Sequence, residues 1–349
     1  MAHRRVDAVE VLIVRKARGE FGRCTAIAAC AAVAAGACGL GWTGERSGGA
    51  ANLPTAAAGP YHRVPFDFDS PINEPYVLDD RAFSLEQPTA LPRAAGGVRV
   101  WFGRVDPVTG AAAIAYAELP GLHDLPAVGP VVVLEATEPW ERGRVTAPSV
   151  VDLGGGALAL FYEGGAPDEP AIGRADSDDG GATWRKWAGN PVVAGVRAPG
   201  VAQLDGRWWL YAVEPGGRAI VRADSDDGLQ WTPAERPAIE PRPGVDGAFD
   251  AYAVTDPHPL VRRTAAGRAV HGLFFAGADR PGEDGRVAIG YAGSFDADTW
   301  ERFAGADPVL RSFGPPAAAP AAVVDGTSGI LLFEERSAGR GRIAAAIHP

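Results

Sequence analysis

The stretch SDDGGATW, residues 177–184, decides the fold together with the apolar runs on either side of it. Ahead of it come ALALFYEGG (157–165) and AIGRADS (171–177), and behind it comes NPVV (190–193). Short apolar runs bounded by Gly, Pro and Asp indicate strands joined by turns. The order along this segment is therefore strand, turn, strand, tight loop, strand.

The same order returns elsewhere in the chain. Two further clear copies and two weaker ones are WWLYAVE (208–214) with AIVRADSDDGLQW (219–231), VHGLFFAGA (270–278) with VAIGYAGSFDADTW (287–300), VRVWFGRV (98–105) with AAAIAYAEL (111–119), and GILLFEERS (329–337) with RIAAAIH (342–348). A long repeat built only of β-type runs is typical of a radial array of sheets. The sequence predicts an all-β fold, a five-bladed β-propeller.

A proline precedes the first apolar run of every copy. These prolines are Pro88, Pro148, Pro199, Pro257 and Pro320, and successive ones lie 51–63 residues apart. Proline is tolerated at the first residue of a strand, where its missing N–H has no partner to lose. We therefore expect each innermost strand to begin here. The residues beside these prolines should then meet at one mouth of a central channel.

The repeat also predicts the limits of the blades. Blades one to five are expected at about 81–125, 126–194, 195–241, 242–310 and 311–349. The last blade is short of a strand, and residues 61–80 are the simplest source of it. The propeller would then occupy residues 61–349, with the two termini exchanging strands to close the ring.

The first sixty residues differ in kind from the rest. Basic residues precede an apolar, alanine-rich run, 24–40, that is too short for a comfortable membrane span and is typical of a secretory signal. Residues 1–37 are expected to be an export signal and 38–60 a flexible linker. The run ends in AGAC (35–38), which resembles a bacterial lipobox with Cys38 as the lipidated residue. An ordinary signal cut near Ala37 and a fortuitous alanine run are the alternatives, so the protein is expected in the cell envelope or secreted.

Charge and cysteine content exclude several function classes. The formal net charge is −10, and no basic tract offers a surface for nucleic acid. All three cysteines, Cys24, Cys30 and Cys38, lie in the N-terminal segment, so the propeller itself would carry no disulfide and no thiol chemistry. The sequence predicts no metal site and no cofactor, and we expect a monomer.

The stretch SDDGGATW matches the sialidase "Asp box", S-x-D-x-G-x-T-W, at every defined position. A carboxylate such as Asp179 can accept backbone N–H groups inside the turn, glycine supplies a positive φ, and Trp184 packs beneath. This motif marks the outside of a propeller and carries no catalysis. A sialidase would have six blades and an arginine cluster, whereas here only Arg197 occupies a channel-facing position.

The longer unit GRVTAPSVVDLGGGALALFYEGG with AIGRADSDDGGATWRKWAGNPVV resembles the repeat of five-bladed glycoside hydrolases of families 43, 32, 62, 68 and 130. The resemblance covers about 75–349 and is specific for the fold, because relatives of one fold differ in chemistry. It implies carboxylates around the channel, one protonating the leaving oxygen and one activating water or attacking directly. It also implies a carbohydrate as the partner.

The resemblance points to particular carboxylates. In family 43 the base is an Asp directly before a blade-start proline, which Asp256 matches, and the acid is a Glu two residues before another, which Glu86 matches. They lie in blades four and one, whereas the family has its base in the first blade. A third carboxylate that tunes the acid is not identifiable, although Asp250 could stand in. The alternatives are a turn-capping role for Asp256 and an exposed charge near an edge for Glu86.

Three more residues lie at or beside channel-facing positions. Arg197, Thr146 and His258 could bind sugar hydroxyls or a carboxylate. A structural role suits His258 better than metal binding, because one histidine without a cluster is weak evidence for a metal.

Three glutamates that end second strands, Glu163, Glu214 and Glu334, are expected to be solvated charges. The sequence predicts a glycoside-hydrolase-like protein that acts on or binds a glycan in the channel. The alternative is a non-catalytic surface lipoprotein that uses the propeller for recognition.

Overall fold

The computed structural model describes residues 60–64, 76–264, 266–282, 285–303, 305, 307–311, 315–325 and 328–348. The expected export signal, Cys38 and the linker up to residue 59 lie outside these ranges. Within them, no helix has the length and the apolar character that crossing a bilayer requires.

The described chain forms five antiparallel sheets, each of which is one blade. Two short strands come first, β1 (His62–Arg63) and β2 (Tyr76–Leu78). Blade one comprises β3 (Ser84–Pro92), β4 (Val98–Val105), β5 (Ala112–Leu119) and β6 (Val128–Leu134). Blade two comprises β7 (Val145–Gly154), β8 (Ala157–Ala166) and β9 (Glu169–Ser177), with β10 (Arg185–Lys186) and β11 (Val193–Ala194) both paired to the outer edge of β9.

The other three blades follow the same plan. Blade three comprises β12 (Arg197–Leu204), β13 (Arg207–Val213), β14 (Ile220–Ser225) and β15 (Thr232–Pro233). Blade four comprises β16 (Ala253–Arg263), β17 (Ala269–Ala278), β18 (Val287–Ser294) and β19 (Glu301–Arg302). Blade five comprises β20 (Ala317–Asp325), β21 (Ser328–Ser337) and β22 (Arg340–His348). The first strands of neighbouring blades pack against each other all the way round, so the prediction of a five-bladed propeller is confirmed.

The ring closes through the N-terminal strands. His62 pairs with Ile347 and Tyr76 pairs with Ala344, so β1 and β2 together form the outer edge of blade five. The expected exchange of strands between the termini is therefore present, although blade five already holds three strands of its own and the N-terminal pieces supply the fourth.

One blade boundary differs from the prediction. The run VVVL (131–134) was expected to open blade two, but it belongs to β6 and pairs with β5 of blade one. Five of the seven residues of β6 are exposed, because an outermost strand has sheet on one side only. An apolar run does not by itself distinguish an outermost strand from an inner one.

Large apolar side chains fill the seams between blades. Trp208 and Leu210 of β13 pack with Phe161 of blade two, whereas Trp209 and Tyr211 pack with Phe275 of blade four. Successive side chains of a strand point to opposite faces, so one strand supports both seams. Burying a side chain of this size stabilises the fold by about 1.5–3 kcal/mol.

Three turns that join a third strand to a fourth repeat one hydrogen-bond pattern. In the first, the Ser177 hydroxyl donates to Asp179 and accepts the N–H of Gly181, at 2.8 and 2.9 Å. Asp179 also accepts the N–H and the hydroxyl of Thr183, and the Trp184 ring N–H donates to the Gly181 carbonyl. The other two turns are centred on Ser225 with Asp227 and on Ser294 with Asp296. We call these three the outer turns.

Candidate active site

Each innermost strand is interrupted at its blade-start proline. The pairing register shifts there in all five blades. The residue before the proline has a φ of 47–50°, and these residues are Gln87, Ala147, Ala198, Asp256 and Ala319. A non-glycine residue in this region is strained by about 1–3 kcal/mol and is held there by its surroundings. The backbone of this bulge is therefore one shape used five times.

The five bulges surround one end of the channel, which we call the channel mouth. The cavity at this end has a volume of about 30 Å³. It is lined by the five pre-proline residues, the five prolines, Thr89, Ser149 and His258. A space of this size holds about two water molecules. The motifs of all five blades thus meet, as the phase of the prolines predicts.

Asp256 and Gln87 are the polar members of the pre-proline set, since the other three are alanines. The Asp256 carboxylate accepts the Thr255 hydroxyl at 2.9 Å and the Gln87 side-chain amide at 3.3 Å, and it faces the backbone N–H of Ala319. Burial raises the pKa of Asp256 above its usual range, although these hydrogen bonds oppose the shift. Blade five lies between the two residues, and its small Ala319 is the pre-proline residue there.

Glu86 lies beside the mouth in a second cluster of carboxylates. It accepts the Ser84 hydroxyl at 2.8 Å and lies 3.2 Å from a guanidinium nitrogen of Arg336. The same Arg336 nitrogen donates to Glu334 at 2.7 Å, so the two carboxylates share it. Glu334 also accepts the backbone N–H of Gln87 at 3.1 Å. Burial raises the pKa of Glu334 to about 7, with Arg336 opposing the shift and Glu86 adding to it.

The expectation that Glu334 and Glu163 are solvated charges is wrong. Glu334 is only 4% exposed, and Glu163 accepts the backbone N–H of Ala198 at 2.9 Å. Burial raises the pKa of Glu163 as well. Both glutamates end a second strand and bind the bulge of the following blade. Their shared position within the repeat is the sequence signal that could have revealed this role.

Asp256 does for blade five what these glutamates do for their neighbours. Its carboxylate faces the backbone N–H of the pre-proline residue Ala319, in the place where Glu334 accepts the N–H of Gln87. In β17 the residue opposite Thr255 is Ala276, which has no carboxylate to offer. The turn-capping alternative for Asp256 therefore has structural support alongside its place in the channel.

His258 and the hydroxyls below the prolines connect neighbouring blades. His258 Nε2 lies 3.2 Å from the Ala322 carbonyl of blade five, and burial lowers the histidine pKa to about 4. The neutral ring therefore donates this hydrogen bond, which fits the structural role. Ser149 similarly accepts the N–H of Val201 at 2.8 Å.

Among the described residues, the seam between blades three and four has no such hydrogen bond. The residue there that corresponds to Val201 is Pro259, which has no N–H, and the residue that faces it is Gly200. A Cβ on Gly200 would lie 2.2 Å from the Pro257 carbonyl oxygen and 2.7 Å from Pro259 Cδ. Only a glycine fits this close approach of two backbones.

The remaining predicted site residues lie away from the cavity lining. Arg197 donates to the Pro167 carbonyl at 2.8 Å, in the hairpin between β8 and β9. Thr146 is 2% exposed and packs against Gly103 of blade one, where a Cβ would lie 2.3 Å from its hydroxyl oxygen. The structure places Asp256 and His258 on the cavity lining and Glu86 next in sequence to the lining residue Gln87, whereas the Arg197 and Thr146 side chains have these other partners.

Asp250 has a separate set of partners. It is fully buried and forms ion pairs with Arg242 and Arg302, both at 2.8 Å. These contacts tie the loop before β16 to the outermost strand β19. In the described part of the chain, the titratable side chains form no cluster suited to a metal ion.

Comparison with known proteins bears on the fold. No protein-family model matches the chain, and no curated protein sequence matches it. Solved structures do match. A glycosyl hydrolase from Bacteroides ovatus has a TM-score of 0.63 and 17% identity, with 85% of this chain and 95% of that chain covered.

Two other similar structures widen the range of activities. One comes from work on the GH130 family of mannoside phosphorylases, which contains glycoside hydrolases that target β-1,2-mannosidic linkages in Candida mannan. Its TM-score is 0.62 at 18% identity, covering 84% of this chain and 95% of that chain. The exo-inulinase from Aspergillus awamori has a TM-score of 0.57 at 16% identity, covering 81% of this chain and 65% of that chain. The resemblance to glycoside hydrolase propellers is thus confirmed at the level of the fold.

Proposed function

We propose that this protein acts on a glycan at the channel mouth, as a glycoside-hydrolase-like propeller. One observation carries the proposal: five bulges converge on one cavity, and the polar side chains among their pre-proline residues are Asp256 and Gln87. A concave site with a few convergent polar groups and a carboxylate of perturbed pKa is where ligand chemistry is expected. The fold shared with glycoside hydrolases makes a carbohydrate the ligand class.

Hydrolysis would use Asp256 and Glu86. A glycosidase needs one carboxyl group to protonate the leaving oxygen and a carboxylate to activate water or attack. Glu334 retains a proton near neutral pH and shares an Arg336 nitrogen with Glu86. Glu86 is the more exposed of the two, at 18% against 5% for the side chains, so it would take up a proton from solvent and pass it to the leaving oxygen. Glu334 would act behind it as a positioning residue.

A second function, recognition without hydrolysis, is favoured by how fully the carboxylates are engaged. Asp256 already accepts two hydrogen bonds and faces the Ala319 N–H, and Glu86 is bound to Arg336 and Ser84. The cavity is also too small for a sugar ring, so the ring would rest over the mouth.

The position of the N-terminal strand suits display on a cell surface. Pro60 contacts His348 at the end of β22, which runs in the same direction as the innermost strand β20. The chain therefore joins the propeller at the end opposite the mouth. A lipid anchor at Cys38, which stays a proposal, would leave the site facing away from the membrane.

The test combines turnover with binding. Purified protein is incubated with arabinan, xylan, fructan and mannoside substrates, and binding of the same glycans is measured by calorimetry. Asp256→Asn and Glu86→Gln are compared with Asp152→Asn, whose half-exposed carboxylate lies at the far end of β7.

Each outcome separates the two functions. Products that disappear in both site variants and persist in Asp152→Asn support hydrolysis. Binding without products, weakened by Asp256→Asn, supports recognition. If no glycan binds and no product forms, the proposed function is wrong.

A further inference from the structure

The Asp256 carboxylate has no cation among its hydrogen-bond partners. Its two hydrogen-bond donors are a hydroxyl and a side-chain amide, and the backbone N–H of Ala319 faces it; all three groups are neutral. Arg336 influences it through space but is bound to Glu334 and Glu86. Buried carboxylates are ordinarily paired with a cation. The channel mouth therefore offers one carboxylate whose counterion the described protein does not supply.

The surrounding charges favour a positive group over a negative one. Three more carboxyl groups, those of Glu86, Glu163 and Glu334, act on this region, and burial raises the pKa of the last two, so a cation that enters favours their charged forms. Arg336 is held by two of them, and Arg197 is held at the Pro167 carbonyl beside Glu163. An anionic ligand group would have to break these contacts, whereas a cationic group would stabilise the charged forms of the carboxyl groups it meets.

The size of the cavity limits what can reach Asp256. About 30 Å³ accommodates two water molecules or one ammonium group, and it excludes a sugar ring. The Gln87 amide is also a replaceable partner, because its contact of 3.3 Å is longer than the 2.9 Å contact of Thr255. A hydrogen bond from an ammonium group to a carboxylate is about twice as strong as a neutral one. An ammonium group can therefore displace the amide.

We propose that the glycan bound here carries a free amino group, as an unacetylated hexosamine does, and that its ammonium group binds Asp256 in place of the Gln87 side chain. This inference rests on the proposed function, because it requires the glycan to bind at the same mouth. It adds the chemical class of the ligand. The ring would rest on the rim, and only the ammonium group would enter the cavity.

The experiment compares two probes that differ in that group alone. Dissociation constants are measured by calorimetry for a chitosan tetrasaccharide and for the fully N-acetylated chitin tetrasaccharide, at pH 6 and 0.3 M salt. The salt suppresses non-specific attraction of a cation to an acidic protein. The wild type is expected to bind the chitosan probe about tenfold more tightly or better, as one charge-assisted hydrogen bond implies.

Two variants move the preference in opposite directions. Asp256→Asn is expected to abolish the preference for the chitosan probe. Gln87→Glu, which keeps the side-chain shape and adds a carboxylate, is expected to enlarge that preference. Asp152→Asn should leave it unchanged. Thermal unfolding of each variant verifies folding, and the gain expected for Gln87→Glu cannot arise from a misfolded protein.

Failure of this inference differs from failure of the proposed function. If both probes bind equally, or if Asp256→Asn keeps the preference, the amino-group inference is overturned and glycan binding stands. The same holds if neither probe binds while a neutral glycan of the hydrolysis panel does. If no glycan of any kind binds, both proposals are overturned.

Discussion

The outer turns and the bulges of the channel mouth both recur from blade to blade, but the turns repeat side-chain hydrogen bonds whereas the bulges repeat a backbone conformation. The outer turns keep the same side chains, a Ser and an Asp, making the same hydrogen bonds in three blades. The bulges keep the same backbone in five blades, while their pre-proline side chain changes among Gln, Ala and Asp. A repeat that conserves side chains serves the fold. A repeat that conserves only backbone leaves its side chains available for ligand chemistry.

The two regions also shift carboxylate pKa values in opposite directions. Hydrogen bonds from Thr183 lower the pKa of Asp179, and hydrogen bonds from the Gln230 and Leu229 backbone lower that of Asp227. Burial raises the pKa of Asp256 and of Glu334. The outer carboxylates are therefore held in the charged form, whereas those near the mouth resist charge. Four experiments test this contrast, beginning with the largest expected effect.

Gly200→Ala tests how rigid the shared bulge backbone is. The added Cβ would lie 2.2 Å from the Pro257 oxygen, so one of two adjacent innermost strands must move. We expect a loss of about 3 kcal/mol in the free energy of unfolding, as for severe overpacking. Urea denaturation measures it, and Gly244→Ala, where a Cβ meets nothing within 4 Å, is the control. Equal stability of the two variants would show that the seam is looser than described.

Ser177→Ala and Asp256→Asn test whether the outer turns stabilise the fold while the channel mouth binds the ligand. The first leaves the buried N–H of Gly181 without its acceptor and is expected to cost about 2 kcal/mol of stability with unchanged glycan affinity. The second removes a charge that burial disfavours, so stability should change by less than about 1 kcal/mol while binding falls. Urea denaturation and calorimetry on both variants supply the four values. A stability loss in Asp256→Asn larger than that in Ser177→Ala would contradict the contrast.

Glu334→Gln tests the raised pKa near the mouth. The native state holds this proton more tightly than the unfolded chain, whose glutamate has a pKa of 4.5, up to a native pKa of about 7. The free energy of unfolding should therefore fall as pH rises from about 4.5 to about 7, on the order of 1 kcal/mol from this group. The variant should show a smaller fall than the wild type, because Asp256 and Glu163 also have raised pKa values, and Glu169→Gln, an exposed glutamate, should show the full fall. Denaturation curves at half-unit pH steps measure the difference.

Asp296→Asn tests the outer turns, with the smallest expected effect. Burial works to raise the pKa of Asp296, but hydrogen bonds from the backbone of Thr299 and Asp298 outweigh it and lower the pKa to about 2. This carboxylate therefore contributes stability above the unfolded pKa of 3.8, and the contribution is lost as the pH falls towards 2. The variant should lose less stability than the wild type between pH 4 and pH 2. If the free energy of unfolding of the wild type does not change between pH 4 and pH 2, the contrast between the outer turns and the channel mouth is contradicted.

Much of the fold follows from local signals. The repeat of apolar runs, the phase of the prolines and the turn at Ser177 each depend on a few neighbouring residues, and together they predicted five blades and the strand exchange that closes the ring. The boundary at VVVL (131–134) was misplaced, because an outermost strand and an inner strand can share one apolar pattern. The candidate site was predicted in part, since a proline marks where a strand begins without fixing where the side chain beside it points.

The burial of Glu334 shows most clearly what could not be predicted from the sequence. In sequence it is a glutamate near the end of a strand, which ordinarily means solvent exposure. Its environment comes from Gln87, 247 residues earlier in the chain, whose backbone N–H it accepts only once the ring is closed. The roles of Thr146, Arg197 and Asp250 depend in the same way on packing across blades.

The sequence by itself determined the module, its number of copies and the residues that begin each innermost strand, because strand period, turn chemistry and proline placement are local properties of the chain. The tertiary structure alone decided which polar groups meet. Closing the ring brought Asp256, Gln87 and the Glu86–Arg336–Glu334 cluster from three blades to one end of the channel, and removed water from the Asp256 and Glu334 carboxylates. Desolvation and contact between distant residues are properties of the closed ring, and no single blade possesses them.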